Sequence, residues 1–141
     1  MTTRLKLDQE AIGLASLLER IAGVRVKDSF RDEEGETVYF IVEEGQLGKA
    51  IGKDGVHVKR LQQELGKKVR LVEFHPDVVS FIKSAIAPLT AEEIVEEAGS
   101  VMIKDSSKKT KSLLIGRGGK NLKLLNRAVK RFFQVEEVKV V

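Results

Sequence analysis

The chain has 141 residues, 42% hydrophobic and 33% charged, which fits one or two small globular domains and not a disordered chain. The lack of cysteine rules out a disulfide framework, thiolate zinc sites and a cysteine nucleophile; no apolar run approaches the roughly 20 residues of a membrane span, and Met1-Thr2-Thr3-Arg4-Leu5-Lys6 lacks the apolar core of a signal peptide, so the expectation is a cytoplasmic protein with no membrane partner. Net charge is +4, with acids grouped at Asp32-Glu33-Glu34-Gly35-Glu36 and at Glu92, Glu93, Glu96 and Glu97, whereas Lys104 to Arg131 holds ten bases and Asp105 alone among acids, the footprint of a polyanion binder rather than of a solvated face mixing both signs.

Taken in order, Asp8 is placed to cap a first helix whose apolar face is Ala11, Leu14, Ala15, Leu18, Ile21 and Ala22, with Gly23 as its stop. Val24, Val26 and Phe30 alternate as a strand, Asp32 to Gly35 form a turn, and Val38, Phe40 and Val42 alternate on the way back, predicting a hairpin. Gly45 ends that strand and Gln46 to Ile51 fits a short helix. After the loop Gly52-Lys53-Asp54-Gly55, a further helix turns Val58, Leu61 and Leu65 inward and stops at Gly66, and Val69 to Phe74 reads as a third strand. The predicted order is αββααβ.

His75-Pro76-Asp77 marks a boundary, because proline cannot continue a central strand and Asp77 can start a helix. Two modules are therefore expected, 1–75 and 76–141. The next helix buries Val78, Ile82, Ala85, Ile86 and Leu89 and ends at Pro88. Thr90 and Glu93 resemble a capping box and would favour helix over 92–98, but an internal repeat asks for a strand at Glu93 to Glu97, a turn at Gly99 and a strand from Ser100 to Ile103. Lys108 to Ile115 is a short helix and Gly116 to Gly119 a loop. Leu122, Leu125, Ala128, Val129 and Phe132 face the core from the last helix, and Val135 to Val140 closes as a strand. The order is αββααβ again.

The repeat is carried by two loops in register. Ile51-Gly52-Lys53-Asp54-Gly55 and Ile115-Gly116-Arg117-Gly118-Gly119-Lys120 lie 64 residues apart, and at that offset Val58 matches Leu122, Lys59 matches Lys123 and Leu61 matches Leu125. One such loop is ordinarily a tight turn between helices. Two in register, each opening a helix and flanked by Lys53, Arg117 and Lys120, suit a phosphodiester backbone: glycine allows close approach, and unpaired N–H groups at a helix start favour an anion. Asp54 would weaken the first loop, either by repelling phosphate or by capping the helix that begins near Gly55, so the second loop is expected to grip more tightly.

These motifs resemble the type II KH domain, an α+β fold of order αββααβ with an I-G-x-x-G loop between its second and third helices. The resemblance runs through Gly45 to Gly55, the strand from Val69 to Phe74 leading into Asp77 to Ile82, and Leu114 to Asn121. It extends to the tandem KH pair of the NusA family of transcription factors in its short archaeal form. It implies two tandem modules, each a three-stranded sheet with helices packed on one face, and a non-enzymatic, cofactor-free protein that binds single-stranded RNA in transcription elongation, termination or antitermination. RNA polymerase or its elongation complex is the implied protein partner, and a monomer the implied state. By the resemblance, Ile51, Gly52, Lys53, Asp54, Gly55, Val56 and His57 hold one stretch of RNA, and Ile115, Gly116, Arg117, Gly118, Gly119, Lys120 and Lys123 another. Val58 and Leu122 join the apolar groove walls, and the two modules could read one continuous strand. Bacterial members carry an amino-terminal polymerase-binding domain and an oligonucleotide-binding barrel, for which 141 residues leave no room.

Competing readings are weaker. Gly48 to Lys53 has too few residues for a P-loop, and Asp54 stands where Ser or Thr would hold Mg²⁺. His57 and His75 lack partners for a metal site, and the Glu92 to Glu97 group has no accompanying nucleophile or metal ligand, so it reads as a solvated acidic edge. With 5% aromatic residues and no Trp, the chain lacks a stacking platform, and Tyr39 and the phenylalanines are read as core. The alternatives kept open are a KH-type factor in ribosome or RNA processing, and a protein-interaction module on a KH scaffold that no longer binds RNA.

Overall fold

The computed structural model describes residues 13–32 and 34–141. The expected cap at Asp8 and the helical Ala11 lie outside the described residues, as does Glu33 of the first turn. The chain divides into two compact units, Met1–Phe74 and His75–Val141.

In the first unit, helix α1 (13–22) presents Leu14, Leu18 and Ala22 to the core at helical spacing. Strands β1 (Val26–Arg31), β2 (Thr37–Val42) and β3 (Lys68–Glu73) form one sheet in the order β1-β2-β3. The first pair is antiparallel and the second parallel. A parallel step needs a long crossover, and helices α2 (Leu47–Ile51) and α3 (Val56–Leu65) supply it. Val38, Phe40 and Val42 alternate along β2 into the helical layer, where Leu18, Ala50, Leu61 and Val69 complete the core and Val58 and Leu65 pack beside them. Phe40 and Leu61 are fully buried, each burial contributing about 2–3 kcal/mol.

One expectation changes in this hairpin. Val26 pairs with Val42 but Asp28 with Ile41, so the register slips at Lys27. The bulge reverses the parity of β1: Phe30 lies opposite Tyr39, stacked on its ring at 5.4 Å, rather than on the face of Val26. The expected turn after β1 is closed by one of its own acids. Asp32 is buried, and its Oδ1 accepts from the N–H of Glu36 (2.8 Å) and Thr37 (3.2 Å), closing the turn through its side chain.

In the second unit, Asp77 caps helix α4 (Val78–Ile86) by accepting from the Ser80 N–H at 2.9 Å and the Ser80 hydroxyl at 3.0 Å. Those bonds hold its exposed carboxyl below the usual carboxylate range. The centre of the α4 face is Phe81, which the spacing of aliphatic residues did not pick out. It is fully buried, 6.0 Å from the Phe132 ring and 5.6 Å from the Phe133 ring. Strand β4 (Glu93–Glu97) pairs antiparallel with β5 (Ser100–Lys104), which pairs parallel with β6 (Glu137–Val140). The repeat, not the capping-box signal, describes 93–97: Ile94 and Val95 pair with Ile103 and Met102. Helices α5 (Lys108–Ile115) and α6 (Lys120–Phe132) make the crossover, with Leu114, Leu125, Ala128 and Val129 buried alongside Val101, Ile103 and Val138.

Both units thus have the same element order and sheet topology, an α+β fold. They differ at the end. Helix α6 has 13 residues where α3 has 10. Asn126 fastens the longer helix to β6, donating to the carbonyls of Leu122 and Val138 (3.0 Å each) while its Oδ1 accepts from the Val138 N–H at 2.8 Å. Gln62, at the matching place in α3, accepts from the Val69 N–H at 3.3 Å.

Candidate nucleic-acid interface

Each glycine loop folds as one 3-10 turn, Lys53–Gly55 and Arg117–Gly119. Gly52 has φ 80° and ψ 166°, and Gly116 has φ 76° and ψ 170°. This region is open essentially to glycine alone. The third and fourth loop positions are left-handed: Asp54 (56°, 25°) and Gly55 (73°, 21°) match Gly118 (64°, 18°) and Gly119 (79°, 12°). The two backbones therefore trace the same path although only the glycines at the two ends are shared.

The first glycine of each loop is sterically obligatory as well. A Cβ added at Gly52 would lie 2.7 Å from His57 Nδ1 and 2.9 Å from Val56 Cγ1; at Gly116 it would lie 2.8 Å from Asn121 Cγ and 2.9 Å from the Asn121 backbone N. The other loop positions have no such constraint. Nothing lies within 4 Å of a Cβ added at Gly55 or Gly118.

Asp54 does not cap the following helix. Gly55 occupies the N-cap position of α3, and no side chain caps it. Asp54 instead fills a left-handed position, which aspartate tolerates better than most residues. Its carboxylate is thus an exposed negative charge at the tip of the first loop, where the second loop has Gly118.

The loop donors can be followed in turn. The Gly52 and Gly55 N–H groups bond to Gly48 O (3.0 Å) and Gly52 O (3.1 Å), and those of Gly116 and Gly119 to Ser112 O (2.9 Å) and Gly116 O (3.1 Å). The N–H groups of Lys53, Asp54, Arg117 and Gly118 make no backbone hydrogen bond among the described residues. They sit at the exposed tips, two per loop, next to the side chains of Lys53 and Arg117.

The remaining expected residues take mixed places. Ile51 and Ile115 are half-buried at the ends of α2 and α5, and Lys123 is exposed on α6. Val56 is 52% exposed beside its loop, whereas Val58 is partly buried against the core. His57, read as a direct ligand contact, turns its Nδ1 back to the Lys49 carbonyl at 2.9 Å. Leu113, which the sequence reading did not single out, is 47% exposed on the helix before the second loop. At the repeat offset Leu113 matches Lys49, and Val56 matches Lys120. An apolar and a cationic side chain have exchanged places around the two loops, so the two surfaces differ chemically while their backbones agree.

Helix α6 has one charged face. Lys123, Arg127, Lys130 and Arg131 are exposed opposite the buried Leu125, Ala128 and Val129, and the helix contains no acid. The acidic edge is partly tied down: Glu92 accepts from the Ser106 hydroxyl and N–H, and its own N–H donates to Asp105. Among the described residues no group of three or more His, Asp or Glu is placed to hold a metal ion, and no helix is long and apolar enough to cross a membrane.

A family model described as the KH domain matches residues 14–98. The probable transcription termination protein NusA of Methanococcus vannielii is 36% identical, over 98% of this chain and 80% of its own length. The protein of the same name from Halococcus morrhuae is 27% identical, over 97% of this chain and 99% of its own. Among solved structures, the crystal structure of APE1850 is similar with a TM-score of 0.76 at 33% identity, covering 94% of this chain and 99% of that one. A matching model over more than half the chain, together with relatives of this identity along nearly its full length, establishes that the chain belongs to the KH domain family, as a NusA-like member of the archaeal kind.

Proposed function

We propose that the protein binds single-stranded RNA through its two Gly-x-x-Gly loops, without catalysis, and that it does so in transcription termination, the role in the names of its relatives. The observation that carries this reading is the duplicated loop. Two segments of different sequence, Lys53-Asp54 and Arg117-Gly118, share one backbone path that offers tip N–H donors and a basic side chain. A turn that merely joined two helices would need neither the repeated path nor the charge. Phosphate oxygens accept from such donors, and the Lys and Arg side chains add a sequence-independent attraction. RNA polymerase or its elongation complex is the protein partner proposed with this role.

The two loops are unequal in this reading. Asp54 sets a negative charge where Gly118 sets none, so the second loop holds backbone more tightly. The test is a gel shift with an unstructured RNA oligonucleotide and a duplex of equal length. The single strand binds much more tightly, because a KH groove admits unpaired bases and not a helix. Replacing Arg117 and Gly118 together by aspartate costs more affinity than Lys53→Asp. Equal affinity for duplex and single strand leaves only a basic surface and ends the proposal. Recovery of polymerase subunits with the tagged protein tests the transcription role, and recovery of ribosomal precursors alone contradicts it.

A further inference from the structure

We infer that His57 and Asn121 are equivalent positioning residues, each holding its glycine loop in the binding conformation through a side-chain N–H clasp. This rests on the RNA-binding reading above. His57 Nδ1 lies 2.9 Å from the Lys49 carbonyl, and Asn121 Nδ2 donates to the Leu113 carbonyl at 2.9 Å. All the participants correspond at one offset of 64 residues: Lys49 with Leu113, Gly52 with Gly116, His57 with Asn121.

An imidazole and a carboxamide share little except a planar group with an N–H donor. Their convergence on one acceptor at one distance singles out that donor as what the position requires. The acceptor is a carbonyl, so the His57 nitrogen facing it carries the hydrogen. The carbonyls of Lys49 and Leu113 lie in the last turns of α2 and α5, where helix geometry leaves acceptors without an intrahelical partner. The clasp supplies a donor from the following helix and so ties the two helices together across the loop. It also lays each planar group against the first glycine, where a Cβ would come within 2.8 Å of either one. The glycine, the loop tip and the helix start are thereby fixed as one unit. The clasp does not touch RNA: it fixes the tip donors that do.

Four variants test this. His57→Leu and Asn121→Leu fill the space without a donor; His57→Asn and Asn121→His exchange one clasp for the other. Affinity for an unstructured RNA oligonucleotide falls about tenfold in each leucine variant, the loss of about one hydrogen bond's worth of order. The exchanged variants stay within about threefold of the parent. The salt slope of the leucine variants becomes shallower by about 0.7 for each phosphate no longer held, a change that a residue serving only packing would not produce. Amide hydrogen exchange without RNA supplies a readout independent of function: Gly52 and Gly55, or Gly116 and Gly119, exchange faster in the corresponding leucine variant and at the parental rate in the exchanged one. If a leucine variant does not fold, Asn121→Asp, of the same size and unable to donate, is read by hydrogen exchange alone. Unchanged exchange in the donor-less variants overturns the clasp, as does an exchanged variant that fails as badly as leucine. If the parent protein itself binds no RNA, the functional reading fails, and hydrogen exchange still decides the clasp.

Discussion

Two alanine substitutions within one loop separate steric from conformational need. Gly116→Ala places a methyl 2.8 Å from Asn121 Cγ and 2.9 Å from the Asn121 backbone N. The side chain can swing away only by giving up its bond to Leu113 O, and the backbone N belongs to the first turn of α6 and cannot move alone. The backbone at φ 76° and ψ 170° adds strain of about 1–3 kcal/mol for an L-residue. Crowding adds about 1–3 kcal/mol more, for a total of about 2–6 kcal/mol. Gly118→Ala meets nothing within 4 Å and carries only the left-handed penalty, about 1–2 kcal/mol. The first loop already shows that an L-residue is accepted at this position, since Asp54 occupies it. Urea unfolding followed by circular dichroism reads the contrast. With a slope of about 1 kcal/mol per molar urea for a small unit, Gly116→Ala lowers the midpoint by about 2 M or more and Gly118→Ala by about 1–2 M, the smaller of the two shifts. A Gly118→Ala variant as damaged as Gly116→Ala would refute the steric argument and the loop geometry behind it.

Asp54→Gly keeps the left-handed backbone and removes a charge beside the proposed phosphate contact. Two like unit charges about 6 Å apart in water repel by about 0.7 kcal/mol, so without the carboxylate RNA binds about threefold tighter by titration, and a loss of binding in a folded variant would give Asp54 a positive role. Log affinity falls against log salt with a slope of about −3 to −5, several phosphates at about −0.7 each; a flat dependence would point to a protein partner instead. Asn126→Ala removes three hydrogen bonds and strips both polar groups of Val138, costing about 2–3 kcal/mol in urea unfolding, whereas a loss under 0.5 kcal/mol would mean that α6 is held by its apolar face alone. The bonds from Ser80 lower the folded-state pKa of Asp77, so its stabilisation is present above the unfolded-state value and is lost as pH falls through the folded-state value. Asp77→Asn retains the cap and flattens the acid limb of the stability profile below about pH 4, and an unaltered limb would show that other groups set it.

Much of this protein is written locally. The glycine spacing, the helical faces of Leu14 and Leu18 or Leu125 and Val129, and the alternation of Val38, Phe40 and Val42 follow from periods of 3.6 and 2 that a short window of sequence displays. The repeat even overrode a misleading capping signal at Thr90 and Glu93, because a strand that must pair with Val101 to Lys104 is a stronger constraint than a helix propensity. Recognition of the loops needed only their register with each other. Other features depend on which residues meet across the fold. The bulge at Lys27 that turns Phe30 toward Tyr39 follows from pairing with β2, and Phe81 takes the centre of its core because Phe132 and Phe133 arrive from the far end of α6. Asp54 has a conformational reason that its position in the sequence disguised as a cap. His57 and Asn121 share no chemistry that an alignment of letters would notice; only the positions of the Lys49 and Leu113 carbonyls make them alike. Sequence determined the elements and the two loops, since those are properties of neighbouring residues. Tertiary structure decided how the loops are held, since a hydrogen bond between groups eight residues apart exists only once two helices have been folded back on each other.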